Sequence, residues 1–355
     1  MYPFKSDTCF VRNRWYIAAF SDEITNAPFE RTIMDTPIVL FRGQSGQVVA
    51  MYGLCPHRYY PLARGKVEGD AIVCGYHGFT FASNGKCTRI PAQGTGAGFS
   101  QPTYPLVEKG RLTWIWMGDA GLADPALIPP YEDFGLEQPG WKASANSHFV
   151  IAGRSQLLVD NLMDLTHLPF IHDIAGGDAL LHAKFVSEDR PASYRLKRPS
   201  QSPWTDFHEL LFGADHAFEG MSDMHSLTDF YGPELIKTSG PITTRIDGKD
   251  TVPSGIGEIY FMHGITPESR NSTHYFGFTT RNFRHDDPTL EAIFAELDLA
   301  VRQQDVDAIE AVEARLEHAS TIQRELLSKA DAPALKVRAL IENMLESEMT
   351  NGRQI

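Results

Sequence analysis

The sequence predicts an α+β protein with two domains, an all-β domain followed by a domain that mixes strands with helices. Residues 11 to about 117 form short strand-like runs separated by Gly, Pro and Asn. Residues 119–140 are rich in Pro, Gly and acidic side chains, which is typical of a connecting segment. From Trp141 onward, strand-like runs alternate with three helical stretches. We therefore place the domains at residues 1–118 and 141–355, and 355 residues are enough for both.

Several strands of the first domain can be assigned individually. Residues 47–52 and residues 71–73 are dominated by apolar and β-branched side chains, and each run leads into a loop that carries Cys and His. Asn84 and Gly85 form the dipeptide of a tight hairpin. The alternating residues 111–117 end the domain.

Composition excludes some classes of protein. A formal net charge of −13 disfavours a nucleic-acid partner, because phosphate binding requires Lys and Arg patches. No run approaches the roughly 20 apolar residues of a membrane span. The first residues lack the apolar core of a secretory signal, and four cysteines are too few for a disulfide scaffold. We therefore expect a cytoplasmic protein with no membrane association.

Four residues indicate a metal centre in the first domain. Cys55 and His57 lie in a Cys-Pro-His motif, and after sixteen residues Cys74 and His77 lie in a Cys-Gly-Tyr-His motif. Two Cys and two His are the ligands of a Rieske [2Fe-2S] cluster, in which the thiolates bind one iron and the imidazoles bind the other. Each motif supplies one ligand of each kind, as two facing loops on a dinuclear cluster would. Structural zinc, which also accepts this ligand set, remains the alternative.

A second set of candidate ligands lies between residues 160 and 172. Asp164 and His167 are three residues apart and share a face if the segment is helical. Pro169 is expected to stop or kink that helix, which would let His172 turn back toward the same point. Two imidazoles with one carboxylate form the facial triad of non-haem Fe(II) enzymes. The alternative is that both histidines are hydrogen-bonded structural residues at a domain interface.

The long helix expected after Asp287 and Pro288 offers the carboxylate. Its start is marked by an acidic N-cap followed by proline. A core-facing stripe recurs at helical spacing: Phe294, Val301, Ile309, Val312 and Leu316.

Asp305 falls within this stripe, where an ionised carboxylate is costly unless it is paired or bound to a metal. Asp298 lies near the same face and is a rival on geometry alone. Asp307 and Glu310 are expected to point into solvent.

The two motifs together resemble those of a known family, the Rieske non-haem iron aromatic oxygenases. Cys55-Pro56-His57-Arg58 and Cys74-Gly75-Tyr76-His77-Gly78 are similar to the cluster loops, and Asp164-Leu165-Thr166-His167 with His172 is similar to the iron motif. The resemblance is to the single-subunit oxygenase components of the vanillate O-demethylase, toluenesulfonate methyl-monooxygenase and dicamba O-demethylase type. It also covers residues 11–19 and 281–283, and therefore most of the chain. The cluster loops lack the extra cysteines of respiratory Rieske proteins, which argues against a respiratory carrier.

The resemblance implies a Rieske β domain, a helix-grip catalytic domain built from an antiparallel sheet and helices, and a head-to-tail homotrimer. It favours Asp305 as the third iron ligand, because Ile309-Glu310-Ala311 follows it as in the family. The usual Glu before that Asp is Gln304 here, a departure that we expect to touch no ligand. Asp164 resembles the carboxylate that bridges the cluster histidine of one subunit, here His77, to the iron ligand of the next, here His167.

Asn161 resembles a residue close to the iron, although a helix-surface amide is the plain alternative. In this family, dioxygen is activated only when the iron and the cluster are both reduced. The electrons are expected from NAD(P)H through a reductase with flavin and a [2Fe-2S] ferredoxin-type centre, or through a separate ferredoxin. The chain itself has no nucleotide fingerprint, and its glycine-rich residues 94–98 are expected to form a loop.

The implied activity is that of a terminal oxygenase that monooxygenates a small aromatic compound, foremost by O-demethylation of a methoxy group. N-demethylation and ring or methyl hydroxylation are alternatives within the family, while an electron-transfer Rieske protein and a zinc-stabilised binding module are alternatives outside it. Substrate-pocket candidates are polar residues of the second domain, each with an equally plausible structural role: His225, Asp229, Tyr231, Arg245, His263 and Asn282. Arg245 could pair with an acidic substrate or be an exposed strand residue.

Overall fold

The computed structural model describes residues 3–4, 10–172, 181–182, 184–190, 193–204, 206–213, 220–240, 242–246, 249–251, 257–318 and 325–351. The chain divides into two compact units. The first contains Phe10–Ile128 and Thr266–Arg270, and the second contains Met1–Cys9, Pro129–Ile265 and Asn271–Ile355. Of the helices in the described residues, none has the length and apolar character needed to cross a membrane.

The first unit is built from three small antiparallel sheets. Its strands are β1 (Trp15–Phe20), β2 (Phe29–Ile33), β3 (Thr36–Arg42), β4 (Val48–Tyr52), β5 (Lys66–Glu68), β6 (Ala71–Val73), β7 (Thr80–Ala82), β8 (Cys87–Arg89), β9 (Leu106–Lys109) and β10 (Leu112–Trp116). The sheets have the orders β1-β10-β9, β2-β3-β4 and β5-β6-β7-β8. Short 3-10 helices cover Ser21–Glu23, Leu62–Arg64, Ala120–Leu122 and Pro125–Leu127. The predicted strands before both Cys/His loops are thus present as β4 and β6.

The turn between β7 and β8 is the hairpin expected from its sequence. The main chains of Ala82 and Lys86 are hydrogen-bonded across it at 3.0 Å. Gly85 adopts a φ of +80°, and a Cβ atom there would lie 2.0 Å from the carbonyl oxygen of Gln101. Only glycine fits both requirements. The buried core under this sheet includes Phe41, Met51, Ile72 and Phe81 together with Cys55 and Cys74.

The second unit contains one sheet with ten described strands, of order β11-β20-β19-β16-β15-β14-β13, with β12 beside β20 and β17-β18 beside β15. The strands are β11 (Lys142–Ala143), β12 (Ser147–Ile151), β13 (Val186–Asp189), β14 (Tyr194–Pro203), β15 (Met221–Gly232), β16 (Leu235–Thr238), β17 (Ile242–Ile246), β18 (Lys249–Thr251), β19 (Ile259–Ser269) and β20 (Ser272–Arg281). The helices are α1 (Ser155–Met163), α2 (Leu168–Ile171), α3 (Asp206–Phe212), α4 (Pro288–His318) and α5 (Ala332–Asn351), with 3-10 helices at Tyr131–Phe134, Leu165–His167 and Lys329–Asp331.

The helix that was expected to carry both Asp164 and His167 ends before them. Helix α1 ends at Met163, and Asp164 has extended dihedrals, with φ −119° and ψ 104°. The carboxylate of Asp164 accepts a hydrogen bond from the backbone N–H of Thr166 at 2.9 Å and so caps the 3-10 helix Leu165–His167. Pro169 lies in the first turn of α2. Its lack of a backbone N–H costs no hydrogen bond there, because N–H groups of the first turn have no acceptor within the helix. The reason given for Asp164 and His167 sharing a helix face was therefore wrong.

Helix α4 begins where it was predicted, because Asp287 caps it by accepting the N–H of Leu290 at 3.0 Å. Phe294 and Ile309 of the predicted stripe are buried, but Val312 is 48 % exposed, so its assignment was wrong. The buried face also carries four charged residues: Asp298, Arg302, Asp305 and Glu313.

The two residues of α4 that were expected in solvent behave differently. Asp307 is exposed as predicted. Glu310 is half-buried and accepts the backbone N–H of Ala152 at 2.8 Å, so the expectation for Glu310 was wrong. The hydrogen bond between Glu310 and Ala152 holds α4 against the segment that leads into α1.

Candidate metal centres

The first Cys/His loop is a tight turn closed on its cysteine. The N–H of Cys55 donates to the carbonyl oxygen of Tyr60 at 2.9 Å, and the N–H of Tyr59 donates to the carbonyl oxygen of Cys55 at 2.8 Å. Tyr59 has a φ of +53°, which is uncommon for a residue with a side chain. The turn leaves Cys55 buried and His57 exposed.

The second loop repeats this hydrogen-bond pattern at the same spacing. The N–H of Cys74 donates to the carbonyl oxygen of Phe79 at 2.8 Å, and the N–H of Gly78 donates back to Cys74 at 3.0 Å. Gly78, with a φ of +70°, takes the place that Tyr59 has in the first loop. Cys74 is again buried and His77 exposed. The two loops therefore offer equivalent ligands from two sides.

Of the four candidate ligands, the two histidines lie next to each other and the two cysteines lie next to each other. The rings of His57 and His77 are 4.6 Å apart between centroids, and the two cysteine thiols are close enough to hydrogen-bond. One zinc ion would need all four ligand atoms around a single point. Among the described residues, however, the only set of three or more possible ligands whose atoms all lie within 4.8 Å of one another is found elsewhere, in the second unit. Paired thiols beside paired imidazoles suit two iron atoms.

Burial of Cys55 disfavours its thiolate form. Burial, with a smaller contribution from the neighbouring Cys74, raises the pKa of Cys55 to about 11. A thiolate is the ligand form of cysteine, so a metal ion that compensates its charge favours Cys55 as a ligand. The chemistry of the four donors and their arrangement thus fit a [2Fe-2S] cluster.

The set of ligand atoms in the second unit consists of His167, His172 and Asp305. The Nε2 atoms of His167 and His172 are 3.5 Å and 3.1 Å from the Oδ1 atom of Asp305. His172 and Asp305 are buried, and His167 is half-buried. The structure therefore brings all three predicted residues together, with the carboxylate supplied by α4.

The outer nitrogen of each imidazole is already hydrogen-bonded. Nδ1 of His167 is 2.6 Å from the carbonyl oxygen of Asp164, and Nδ1 of His172 is 2.9 Å from Oε1 of Gln304. Both acceptors are oxygens, so each Nδ1 donates a proton and each Nε2 faces Asp305. At Nε2, only a second proton or a metal ion can face a carboxylate favourably. A divalent cation bound by two imidazoles and one carboxylate fits this donor set, and Fe(II) is the ion typical of it.

Asp305 is held in its charged form. Burial alone would raise the pKa of its carboxyl group, but the hydrogen bonds with His167 and His172 outweigh burial and hold it well below its usual range. Asn161 adds a third contact, because its Nδ2 donates to Oδ1 of Asp305 at 3.2 Å. Oδ1 of Asn161 is buried and accepts no hydrogen bond from the described residues. Asn161 therefore lies beside the ligands, where the resemblance suggested.

A cavity of about 180 Å³ opens beside this site. Its lining includes Asn161, Asp164 and His167 together with Arg338 of α5. Arg338 pairs with Asp160 at 2.6 Å and with Glu325 at 2.7 Å. The predicted bridging residue Asp164 thus lines a polar cavity next to an iron-ligand candidate.

Asp298, the rival carboxylate, does not join the triad. It accepts hydrogen bonds from Ser147 and Arg302, both at 2.8 Å. Its charge is therefore satisfied within the core.

Sequence reasoning missed two residues that support the site. Gln304 was expected to touch no ligand, and its bond to His172 shows that this was wrong. Arg198 donates to the carbonyl oxygen of Met163, the last residue of α1, at 2.6 Å. Both contacts join distant parts of the chain, so no local sequence pattern could have indicated them.

Two of the substrate-pocket candidates are buried in structural networks. Asp229 pairs with Arg195 and with Lys237, the latter at 3.0 Å, and has no exposed surface. His263 is buried and is hydrogen-bonded to Thr238 at 2.9 Å. Burial and the nearby charge of Arg302 lower the pKa of His263 well below its usual range, so it is a neutral core residue.

The remaining pocket candidates give no support for substrate contact. Oδ1 of Asn282 accepts the N–H of Glu258 at 2.7 Å, and the hydroxyl of Tyr231 donates to Asp133 at 2.8 Å. The side chains of His225 and Arg245 lie outside the described residues.

Comparison with known proteins agrees with both centres. Residues 14–105 match the family described as the Rieske [2Fe-2S] domain, and residues 151–347 match the vanillate O-demethylase oxygenase C-terminal domain. The chain is 32 % identical over 353 residues to the oxygenase component of dicamba O-demethylase from Stenotrophomonas maltophilia, covering 96 % of this chain and 99 % of that protein.

A second relative is the iron-sulfur subunit of the toluene-4-sulfonate monooxygenase system from Comamonas testosteroni. It is 34 % identical over 349 residues, covering 96 % of this chain and 98 % of that protein. Among solved structures, dicamba monooxygenase bound to 3,6-dichlorosalicylic acid matches with a TM-score of 0.85 and 30 % identity, covering 96 % of this chain and 99 % of that one.

Proposed function

Because the chain belongs to the Rieske oxygenases that have the vanillate O-demethylase type of C-terminal domain, we propose that it O-demethylates a small methoxy-aromatic compound. The chain is a Rieske non-haem iron monooxygenase component. The observation that carries the proposal is the convergence of His167, His172 and Asp305 on one point in a unit separate from the Cys/His loops. An electron carrier needs only the cluster, whereas an oxygenase needs this second site.

Each centre is assigned to named residues. Cys55, His57, Cys74 and His77 would hold the [2Fe-2S] cluster, and His167, His172 and Asp305 would hold the mononuclear iron. When bound, the two metal groups supply the electrons and the site at which dioxygen is reduced. The chain's own residues hold the donor atoms in place: Nδ1 of each imidazole is fixed by an oxygen acceptor, and Asn161 holds the carboxylate of Asp305.

In the overall reaction, atoms and electrons balance between O2, the substrate and the external reductant, and no side chain is consumed. One oxygen atom of O2 enters the methyl C–H bond, and two electrons and two protons convert the other oxygen atom to water. The resulting hemiacetal breaks the bond between that carbon and the oxygen attached to the ring, and its hydroxyl proton passes to the ring oxygen, which gives formaldehyde and a phenol. The electrons come from NAD(P)H through a separate reductase, as expected for a protein whose relatives are named as components of multi-protein systems.

Finer points of the proposal rest on the composition of the chain and on the family resemblance. We assign the cluster domain to residues 1–118, the connecting segment to 119–140 and the catalytic domain to 141–355. The chain would assemble as a homotrimer in the cytoplasm, with Asp164 linking the cluster of one subunit to the iron of the next. The position of Asp164 in the wall of the cavity beside His167 supports that role. The reductase would carry flavin and a [2Fe-2S] centre.

The names of the relatives support the proposed substrate class. One is named for O-demethylation of dicamba, and its structure was solved with an aromatic acid bound. The other is named for monooxygenation of toluene-4-sulfonate, which makes methyl hydroxylation the second candidate. Both names point to a small aromatic ring that carries an acid group.

A single-turnover experiment tests the function without the unknown reductase. The purified protein is reduced chemically under argon, mixed with a panel of methoxybenzoates and methylbenzoates, and exposed to O2 labelled with oxygen-18. The proposal predicts formaldehyde and the matching phenol from a methoxybenzoate, in amounts that do not exceed the protein present. Asp305→Ala should abolish the product, while Asp307→Ala, an exposed carboxylate on the same helix, should not. The phenol keeps the oxygen of the methoxy group and formaldehyde exchanges its oxygen with water, so the label reports only on hydroxylation, which would give a labelled benzylic alcohol. Absence of every one of these products would contradict an oxygenase.

A further inference from the structure

Gln304 contacts the candidate iron site through the outer nitrogen of His172. It directly precedes Asp305 on α4, and its Oε1 is 2.9 Å from Nδ1 of His172, which lies 132 residues earlier in the sequence. Successive residues of a helix point about 100° apart, so Asp305 enters the buried face while Gln304 remains mostly exposed. The imidazole of His172 lies between them, with Nδ1 bonded to Gln304 and Nε2 to Asp305. Two consecutive residues of one helix therefore hold opposite sides of one ring.

This contact differs from the one that holds His167. Nδ1 of His167 donates to a main-chain carbonyl, which a substitution cannot change. The acceptor for His172 is a side chain, and evolution or mutagenesis can change both its length and its charge. The side chain at position 304 therefore sets the acceptor of the Nδ1 proton of His172, and it can be changed without changing a ligand residue.

An amide and a carboxylate act differently as acceptors for a metal-bound imidazole. Both fix the tautomer that leaves Nε2 free for the metal. A carboxylate also draws the Nδ1 proton toward itself, which makes the ring a stronger donor and favours the more highly charged oxidation state of the metal. A neutral amide orients the ring without this effect. With Gln304 in place, Asp305 is the single anionic side chain that contacts either imidazole in the described part of the chain.

We propose that Gln304 is a positioning residue for His172, which orients the imidazole for iron and, because it is uncharged, favours the ferrous state of the site. The proposal rests on the proposed function in one respect, namely that this site holds iron. It concerns the affinity and redox potential of the iron and does not depend on the substrate.

The neighbouring Gln303 provides a matched control. It is also an exposed glutamine on α4, and its amide bonds to Asp307 and, within the described part of the chain, to no ligand candidate. Gln303→Glu thus introduces the same charge one residue away from the contact. Gln304→Glu keeps a hydrogen-bond acceptor for His172 and adds charge, whereas Gln304→Leu removes the acceptor.

The experiment compares the wild type with these three variants in the full-length protein. The mononuclear site is emptied with a chelator, Fe(II) is added back in competition with a coloured chelator, and the Rieske absorption band serves as the folding control. The potential of the mononuclear iron is then measured by a redox titration that follows the EPR signal of the ferric site. We expect Gln304→Leu to bind Fe(II) about tenfold more weakly. Gln304→Glu should bind within a few-fold of the wild type but at a lower potential, and Gln303→Glu should match the wild type in both.

The outcomes separate this inference from the proposed function. If the wild type takes up no Fe(II) at this site, the proposed function fails. If the wild type binds Fe(II) but both Gln304 variants match Gln303→Glu in affinity and potential, the positioning role is refuted and the function stands. Should Gln304→Leu fail to fold, the near-isosteric Gln304→Glu decides alone, because its potential either falls below that of Gln303→Glu or does not.

Discussion

Asp164 holds His167 through its main-chain carbonyl and not through its carboxylate. The carbonyl oxygen is 2.6 Å from Nδ1 of His167, whereas the carboxylate accepts the N–H of Thr166 at 2.9 Å. The tautomer of His167 is therefore independent of the charge at position 164. A substitution that removes only this charge can test an electron-transfer role without disturbing the iron ligand.

Asp164→Asn is the variant that meets this condition. Asparagine caps helices about as well as aspartate, and the main-chain bond to His167 is unaffected. We expect the variant to retain its cluster and its mononuclear iron, while NAD(P)H-driven turnover falls by up to about 100-fold. Stopped-flow oxidation of the reduced cluster, followed at its visible band, should slow in parallel. A fully active variant would refute the bridging role.

Metal content distinguishes the two centres. Anaerobically purified protein should contain about three irons and two acid-labile sulfides per chain. His167→Ala should lose about one iron and keep the sulfide and the Rieske spectrum, because His167 belongs to the unit that lacks the Cys/His loops. Two irons in both proteins would mean that the second site binds no iron. A colourless protein with zinc and no sulfide would contradict the cluster itself.

The features that the sequence predicted depend on short-range patterns. Two Cys/His loops, the hairpin at Asn84 and Gly85, and the N-cap of α4 at Asp287 each involve residues a few positions apart. Within such a span, propensity and hydrogen bonding to the adjacent backbone largely determine the conformation. The resemblance to a family then added Asp305, which spacing alone had not separated from Asp298.

The features that were not predicted depend on contacts between distant segments. Val312 was assigned to the core from helical spacing, but α4 turns its charged residues Asp298, Arg302 and Asp305 inward instead. Each of these carboxylates has partners from other elements, which makes its burial tolerable. Periodicity counts apolar residues and cannot identify a buried face made of paired charges. The contact of Gln304 with His172 was not predicted either, because it joins residues that lie far apart in the sequence.

Asp229 is expected to contribute to stability rather than to substrate binding. It has no exposed surface and compensates the charges of Arg195 and Lys237. Asp229→Asn would deprive the buried Lys237 and the half-buried Arg195 of their ion-pair partner and should lower the free energy of unfolding at pH 7 by about 3 kcal/mol. Urea unfolding followed by fluorescence measures this change. Glu188→Gln, which removes an exposed carboxylate paired with Lys197 and Arg190, should lower the free energy of unfolding much less than Asp229→Asn, because solvent screens these pairs.

The pH dependence of this loss has a definite sign. Burial alone would raise the pKa of Asp229, but the hydrogen bond from Arg195 and the charge of Lys237 outweigh it and hold the pKa below its usual value. A carboxyl group with a lowered pKa stabilises the fold at pH values above its unfolded pKa of about 3.9. The difference between wild type and Asp229→Asn should therefore be constant down to about pH 4 and shrink below it. A difference that grew on acidification would contradict the ion pair.

Asn161 gives the last prediction, because the structure places it against a ligand and not on the helix surface. Its amide donates to Oδ1 of Asp305, the same oxygen that faces both imidazoles. Asn161→Ala removes this donor, so the carboxylate can turn away from the metal position. We expect about tenfold weaker Fe(II) retention against a chelator. Turnover should fall in proportion to the iron lost, and the Rieske spectrum should stay unchanged.

Gln303→Ala removes an exposed amide from α4 and should alter neither Fe(II) retention nor turnover. Equal Fe(II) retention in the two variants would restore the plainer interpretation of Asn161 as a helix-surface amide.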